Sequence, residues 1–269
     1  MNARDVLTRA TRPPDETLRY GEGPEQVADV WLPQRPGPAP VALFLHGGFW
    51  RAQWDRTHAR PVAEALAAAG FVACLPEYRR TGGGGGWPGT FDDIAAAVDI
   101  LPGRLAALWS APEPPAVVLA GHSAGGHLAL WAAARRRFPD GARWQSDTPI
   151  RGVVALAPVS DLADCQRRHL DGGAAEALVG GPPEDHPDRY AAIDPARLLP
   201  LGVPVGLLHG SADRQVPVEM SRAYLAAARA AGDAVEFAEL ADRDHFALID
   251  PESAAWPRVL AAFAAAAGQ

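Results

Sequence analysis

A serine between two glycines, in the run Gly121-His122-Ser123-Ala124-Gly125, is the first group in this sequence equipped to attack a carbonyl. An apolar run leads into it and an alanine-rich run leads away, so Ser123 falls where a strand turns into a helix. On such a turn the serine backbone is strained and its hydroxyl projects. A side chain at Gly121 or Gly125 would collide with the neighbouring strand or helix. The positive end of the helix then lies beside the hydroxyl, and the Ala124 N–H faces a developing oxyanion. Taken alone, the same pattern also describes a small buried serine on an ordinary strand–helix turn. A phosphate loop is the poorer alternative, because no Gly-Lys-Ser/Thr follows and the spacing is not that of a dinucleotide fingerprint.

A nucleophilic serine needs oxyanion donors, a base, and an acid that orients the base. The segment His46-Gly47-Gly48-Phe49-Trp50 follows an early strand and supplies the second donor, from Gly47 and Gly48 or from Gly48 and Phe49. Phe49 and Trp50 are expected at the substrate, with a core role as the alternative for Trp50. His46 precedes the loop and reads as its support rather than as a base. Of the eight histidines, His122 and His127 are placed by the serine turn itself, and only His245 follows the last strand. His122 is kept as a substrate contact. Asp213 follows a strand directly and is the expected acid. Asp161 also follows a strand and is its rival. The chain order is then Ser123, Asp213, His245.

These parts need a scaffold that brings distant loops to one edge. Strand-length apolar runs at 27–33, 41–48, 71–78, 116–123, 152–160, 203–213 and 234–241 alternate with helical runs at 59–70, 91–101, 124–138, 220–232 and 253–267. The residues after 101 also read as helical, with Pro102 and Gly103 as a candidate break. Continuous apolar strands joined through helices predict an α/β fold: a mostly parallel central sheet with helices on both faces. The exception, residues 161–199, is rich in Gly, Pro, Asp and Arg. It is expected as a small cap after the sixth strand, within a single domain spanning 1–269. Its Arg167, Arg168, Arg189 and Arg197 are candidate carboxylate contacts or plain surface residues. Gly82 to Gly86 form an expected loop near the site, with Trp87 as a possible aromatic contact.

Hydrophobic residues make up 48% of the chain and its formal net charge is −7. That charge argues against nucleic acid or an anionic membrane as a partner. The basic run Arg135 to Arg137 reads as a solvated helix end. Cys74 and Cys165 read as free thiols in a reducing cytoplasm. The stretch from Met1 to Tyr20 lacks the apolar segment of a signal peptide, and no apolar run is long enough to span a bilayer.

The motifs His-Gly-Gly-Phe-Trp, Pro76-Glu77-Tyr78-Arg79-Arg80, Gly-His-Ser-Ala-Gly-Gly-His-Leu-Ala and Asp244-His245-Phe246 together resemble the α/β-hydrolase superfamily. Within it they look like the kynurenine formamidase (arylformamidase)-like hydrolases and small bacterial esterases. The resemblance runs from about residue 18 to 268. It implies a serine hydrolase acting on a small ester or amide without metal or organic cofactor. Ser123, Asp213 and His245 match the triad, and the HGG segment with Ala124 matches the oxyanion hole. A thioesterase, an acyltransferase and a non-catalytic binding homologue remain as alternatives. Halide or epoxide chemistry would want aspartate at position 123.

Overall fold

The structure, a computed structural model, describes residues 3–35, 37–109 and 117–268. Met1 and Asn2, and Ala116 at the head of the expected strand 116–123, lie outside them.

Eight strands form one sheet: β1 Glu16–Arg19, β2 Val27–Trp31, β3 Val41–Leu45, β4 Val72–Pro76, β5 Val117–His122, β6 Ile150–Leu156, β7 Val205–Gly210 and β8 Val235–Leu240. Their order is β1-β2-β4-β3-β5-β6-β7-β8. The pairs β1–β2 and β2–β4 are antiparallel, and all the others are parallel. Parallel strands have both faces covered, which explains their unbroken apolar sequences. Along β3, Leu43 and Leu45 face one core while Ala42 and Phe44 face the other. The first core is covered by α2 (Gly89–Trp109), α3 (Ala124–Ala134) and α7 (Val218–Ala230). The second is covered by α1 (Arg60–Ala68) and α8 (Trp256–Ala267).

The segment between β6 and β7 holds α4 Leu162–Arg167, α5 Ala174–Val179 and α6 Pro187–Ile193. It is fastened to α3: His127 Nε2 lies 3.0 Å from Ile193 O, and Trp131 Nε1 donates to Ala192 O at 3.1 Å.

One expectation changes, one open point is resolved, and one strand has no signal in the sequence. Helix α2 runs through Pro102 and on to Trp109. Leu101, Pro102 and Leu105 are all buried, and that packing outweighs the roughly 3 kcal/mol a helix proline costs. Arg135 is not a solvated helix end. It is 1% exposed, its Nη2 is 2.6 Å from Asp99 Oδ2, and its Nε donates to Trp144 O at 2.6 Å. A buried guanidinium needs such partners. Strand β1 is too short and too exposed to show apolar alternation, and the sequence reading passes over it. Cys74 and Cys165 are free and buried.

The start of α3 lies against the end of β3. A Cβ at Gly125 would stand 1.9 Å from Leu45 O, and one at Gly121 would stand 2.2 Å from Gly125 O. Both obstacles are backbone atoms that cannot rotate away. Gly125→Ala is therefore expected to lower stability by about 3 kcal/mol or more, read as a fall in the urea unfolding midpoint. An unchanged midpoint would refute the close approach.

Candidate active site

Ser123 links β5 to α3 with φ 57° and ψ −118°. That region is unfavourable for any residue but glycine and costs on the order of 1–3 kcal/mol. Backbone bonds on both sides hold it: Ser123 N donates to Leu156 O at 2.9 Å, and Ser123 O accepts from His127 N at 3.1 Å and Val159 N at 3.2 Å. Ala124 is the first residue of α3, where backbone N–H groups lack intrahelical acceptors.

Opposite the serine, the loop after β3 carries three consecutive left-handed residues, Gly48 (φ 108°), Phe49 (φ 48°) and Trp50 (φ 56°). Gly47 is pressed against the serine turn, where a Cβ would lie 2.9 Å from His122 O and 3.3 Å from Ser123 Cβ. Gly48 and Phe49 are the loop residues that line the pocket. His46 holds the loop from beneath. Its Nδ1 lies 2.9 Å from Gly47 O and its Nε2 lies 2.9 Å from Glu77 Oε1. Its ring stacks on Tyr78 at 4.3 Å, and Tyr78 Oη donates to His46 O at 2.8 Å.

His245 Nδ1 is 2.6 Å from Asp213 Oδ2. Asp213 Oδ1 accepts the backbone N–H groups of Gln215 at 2.7 Å and Val216 at 2.9 Å. Burial pushes the Asp213 carboxyl up, but hydrogen bonds from His209 and His245 and the Val216 N–H hold it well below the usual carboxylate range. His122 Nε2 lies 2.9 Å from His245 O and fixes the backbone there. Burial, then the neighbouring His245, keep His122 well below its ordinary value, so its ring is neutral.

Ser123, His122 and His245 open on one pocket of about 160 Å³. Its walls include Gly48, Phe49, Trp54, His58, Phe246 and Ile249. Burial pushes His58 down to about 4, so its ring is uncharged at neutral pH.

Several expected contacts fall elsewhere. Trp50 is wholly buried in the core, edge-on to His127 at 5.1 Å, and Trp54 stands at the pocket instead. Left-handed backbone at 48–50 turns the first tryptophan inward and leaves the second at the mouth. Trp87 packs on Phe91 and Trp144, away from the pocket. The residue heading the glycine loop braces the back of the 46–50 loop, since Thr81 N donates to Trp50 O at 2.8 Å. Asp161 accepts from Asp164 N at 2.6 Å as the cap of α4. Arg167 and Arg168 pair with Asp164, Arg189 donates to Val179 O, and Arg197 sits 3.9 Å from Asp194. None of the four lines the pocket. The cation there is Arg4, 5.5 Å above the Phe246 ring, on an N-terminal turn (Ala3–Thr8) that also brings Leu7. No motif marks Arg4 or Leu7, because long-range folding alone brings them to the site, and Gln215 arrives with its neighbour Asp213.

Sheet order, crossing helices and the serine turn define an α/β-hydrolase fold. The chain belongs to the BD-FAE family, whose model matches residues 28–227. It is 29% identical over 248 residues to Esterase LipC of Mycobacterium tuberculosis, covering 86% of this chain and 59% of that protein. The chain thus spans little more than half the length of that relative. It is 23% identical to the kynurenine formamidase of Danio rerio, covering 93% of this chain and 85% of that one. Among solved structures, a truncated carbohydrate esterase from gut microbiota superposes with a TM-score of 0.78 at 18% identity, over 97% of this chain and 99% of the other. Among the described residues, no helix is long and apolar enough to cross a membrane.

Glu77 sets a stability prediction. Burial pushes its carboxyl up, but His46 by charge and hydrogen bond, the Arg56 N–H and Arg80 outweigh that and hold it at about 2, from an ordinary 4.5. A depressed carboxyl stabilises the fold above its unfolded value and loses that contribution as pH falls through its folded one. The contribution is about 3 kcal/mol, lost between about pH 5 and pH 2. The stability gap between wild type and Glu77→Gln is expected to narrow over that range, measured by urea unfolding. A constant gap would refute it.

Proposed function

We propose that this protein is a serine hydrolase that cleaves small carboxylic esters through an acyl-enzyme. The observation that carries the reading is the short His245–Asp213 bond beside a strained Ser123, with serine and histidine opening on one pocket. Asp213, charged and fully bonded, holds His245 so that Nδ1 donates to it and Nε2 is left to act as the base. His245 takes the Ser123 hydroxyl proton as Oγ bonds to the carbonyl carbon. The carbonyl oxygen becomes an oxyanion, met by N–H groups of Ala124 and of the Gly48–Phe49 segment. Each such donor contributes about 3 kcal/mol to the transition state. Collapse breaks the bond to the leaving oxygen, which takes the proton from His245. Water then repeats the sequence and frees the acid and the serine.

The substrate is a small molecule. A cavity of about 160 Å³ compares with one of about 150 Å³ that holds benzene. Its walls of Phe49, Trp54, Phe246 and Ile249 suit a short or aromatic acyl group. The match to a kynurenine formamidase over 85% of that protein favours a second reading, an aryl formamide cleaved by the same steps.

Ser123→Ala is expected to lower kcat on p-nitrophenyl acetate by a factor on the order of 10⁶ while the protein stays folded. Asp213→Asn should cost about 10⁴ in kcat, and Asp161→Asn should leave kcat close to wild type. Substantial turnover by folded Ser123→Ala would sink the assignment. Among p-nitrophenyl esters, kcat/KM is expected to fall beyond an acyl chain of about six carbons. N-formyl-L-kynurenine, assayed in parallel, separates the readings: strong preference for it would favour the formamidase.

A further inference from the structure

Both oxygens of Asp213 are in use. Oδ1 faces two backbone N–H groups. Oδ2 lies 2.6 Å from His245 Nδ1 and 3.2 Å from Nε2 of a second histidine, His209. His209 is on β7, is wholly buried, and takes no part in the steps above. Its Nε2 also lies 2.9 Å from Val216 O. Both atoms opposite that nitrogen are acceptors, so it carries the proton. Its Nδ1 lies 2.7 Å from the hydroxyl of Ser221, which α7 supplies and which is also wholly buried. A neutral ring with its proton on Nε2 accepts the Ser221 hydroxyl at Nδ1. The neighbours on β7, Leu207 and Leu208, fill the cores with apolar side chains. A buried imidazole with both nitrogens engaged does more than fill space.

We propose that His209 is a positioning residue. Ser221 fixes its tautomer, and its Nε2–H, shared between Val216 O and Asp213 Oδ2, holds the same oxygen that receives His245. The proposal rests on the reading of Ser123, His245 and Asp213 as the reacting set. It has a geometric and an electrostatic side. One N–H ties Val216 O and Asp213 Oδ2 together, so the 211–217 loop keeps Asp213 in reach of His245. A second donor on Oδ2 also spreads the carboxylate charge and weakens its pull on the His245 proton.

Other titratable and charged groups surround this assembly. They are His122 from β5, His58 from the turn before α1, Arg4 and Asp171 at the pocket, Glu239 on β8, and Arg214, Arg243 and Asp244 on the flanking loops. The test variants leave all of them in place.

The experiment measures p-nitrophenyl acetate hydrolysis between about pH 5 and pH 9, spanning histidine titration. It uses wild type, His209→Phe, His209→Gln, Ser221→Ala and Ser123→Ala, with rates expressed per site labelled by a fluorophosphonate, and per mole of protein for Ser123→Ala, which lacks the labelled hydroxyl. His209→Phe is expected to lower kcat per labelled site about tenfold, far less than the ~10⁴ of a lost acid. Its acid limb in kcat/KM should move up by about half a pH unit. His209→Gln, whose amide N–H reaches the same place, should recover most of both effects, and Ser221→Ala should fall between. A residue that only fills space would change the labelled fraction and leave the limb where it was. Wild-type limb and wild-type kcat per labelled site in His209→Phe would overturn the proposal. If that variant does not fold, the same outcome in Ser221→Ala overturns it. Full activity in Ser123→Ala is a different failure, that of the underlying site assignment.

Discussion

The close approach of α3 to the end of β3 is the constraint on which the site depends. With no side chain at Gly125, the helix start can rest on Leu45 O. That contact sets the distance between the serine turn and the oxyanion loop, because β3 leads straight into the loop and β5 straight into the serine. It also over-determines the backbone at Ser123, whose positive φ has no local justification. Parallel strands do the rest. β3, β5, β6 and β7 all end at one edge of the sheet, and the loop after β8 returns to it. Groups more than a hundred residues apart therefore meet without any being moved far from a strand end.

Two buried histidine–carboxylate pairs flank the serine, and they do different work. His46 and Glu77 hold a loop: His46 Nδ1 and Tyr78 Oη bond its backbone, Glu77 accepts the Arg56 N–H, and Arg80 pairs with Glu77. Asp213 and His245 sit where one ring nitrogen is held and the other is left toward the pocket. In the proposed mechanism, what separates His245 from His46 is the use of the second nitrogen rather than burial. The carboxylates are both depressed, and each is surrounded by donors that repay its desolvation.

Much of this was legible in the residues. Turn signals and apolar runs mark the strand ends, and Ser123, Asp213 and His245 each sit just past one. What stayed hidden was decided by non-local packing. Arg135 reads as surface because nothing near it in sequence announces Asp99, and Pro102 reads as a candidate break because helix propensity ignores a buried face. Trp50 and Trp54 are four residues apart and alike in character. Only the left-handed backbone at 48–50 decides which enters the core and which lines the pocket. The pocket walls were least legible, since Arg4, Leu7 and Phe246 come from opposite ends of the chain.

Those two ends are clasped together. Arg9 binds Asp250, 241 residues away, and so fixes the N-terminal turn with Arg4 and Leu7 beside the turn with Phe246 and Ile249. During synthesis, residues 1–240 leave the ribosome before either half of this clasp has its counterpart. The sheet then has all of its strands while one side of the pocket is still open to solvent. Helix α8, which covers the second core, follows Asp250 in the chain, so that core and the binding cavity are both completed only after the last strand has formed.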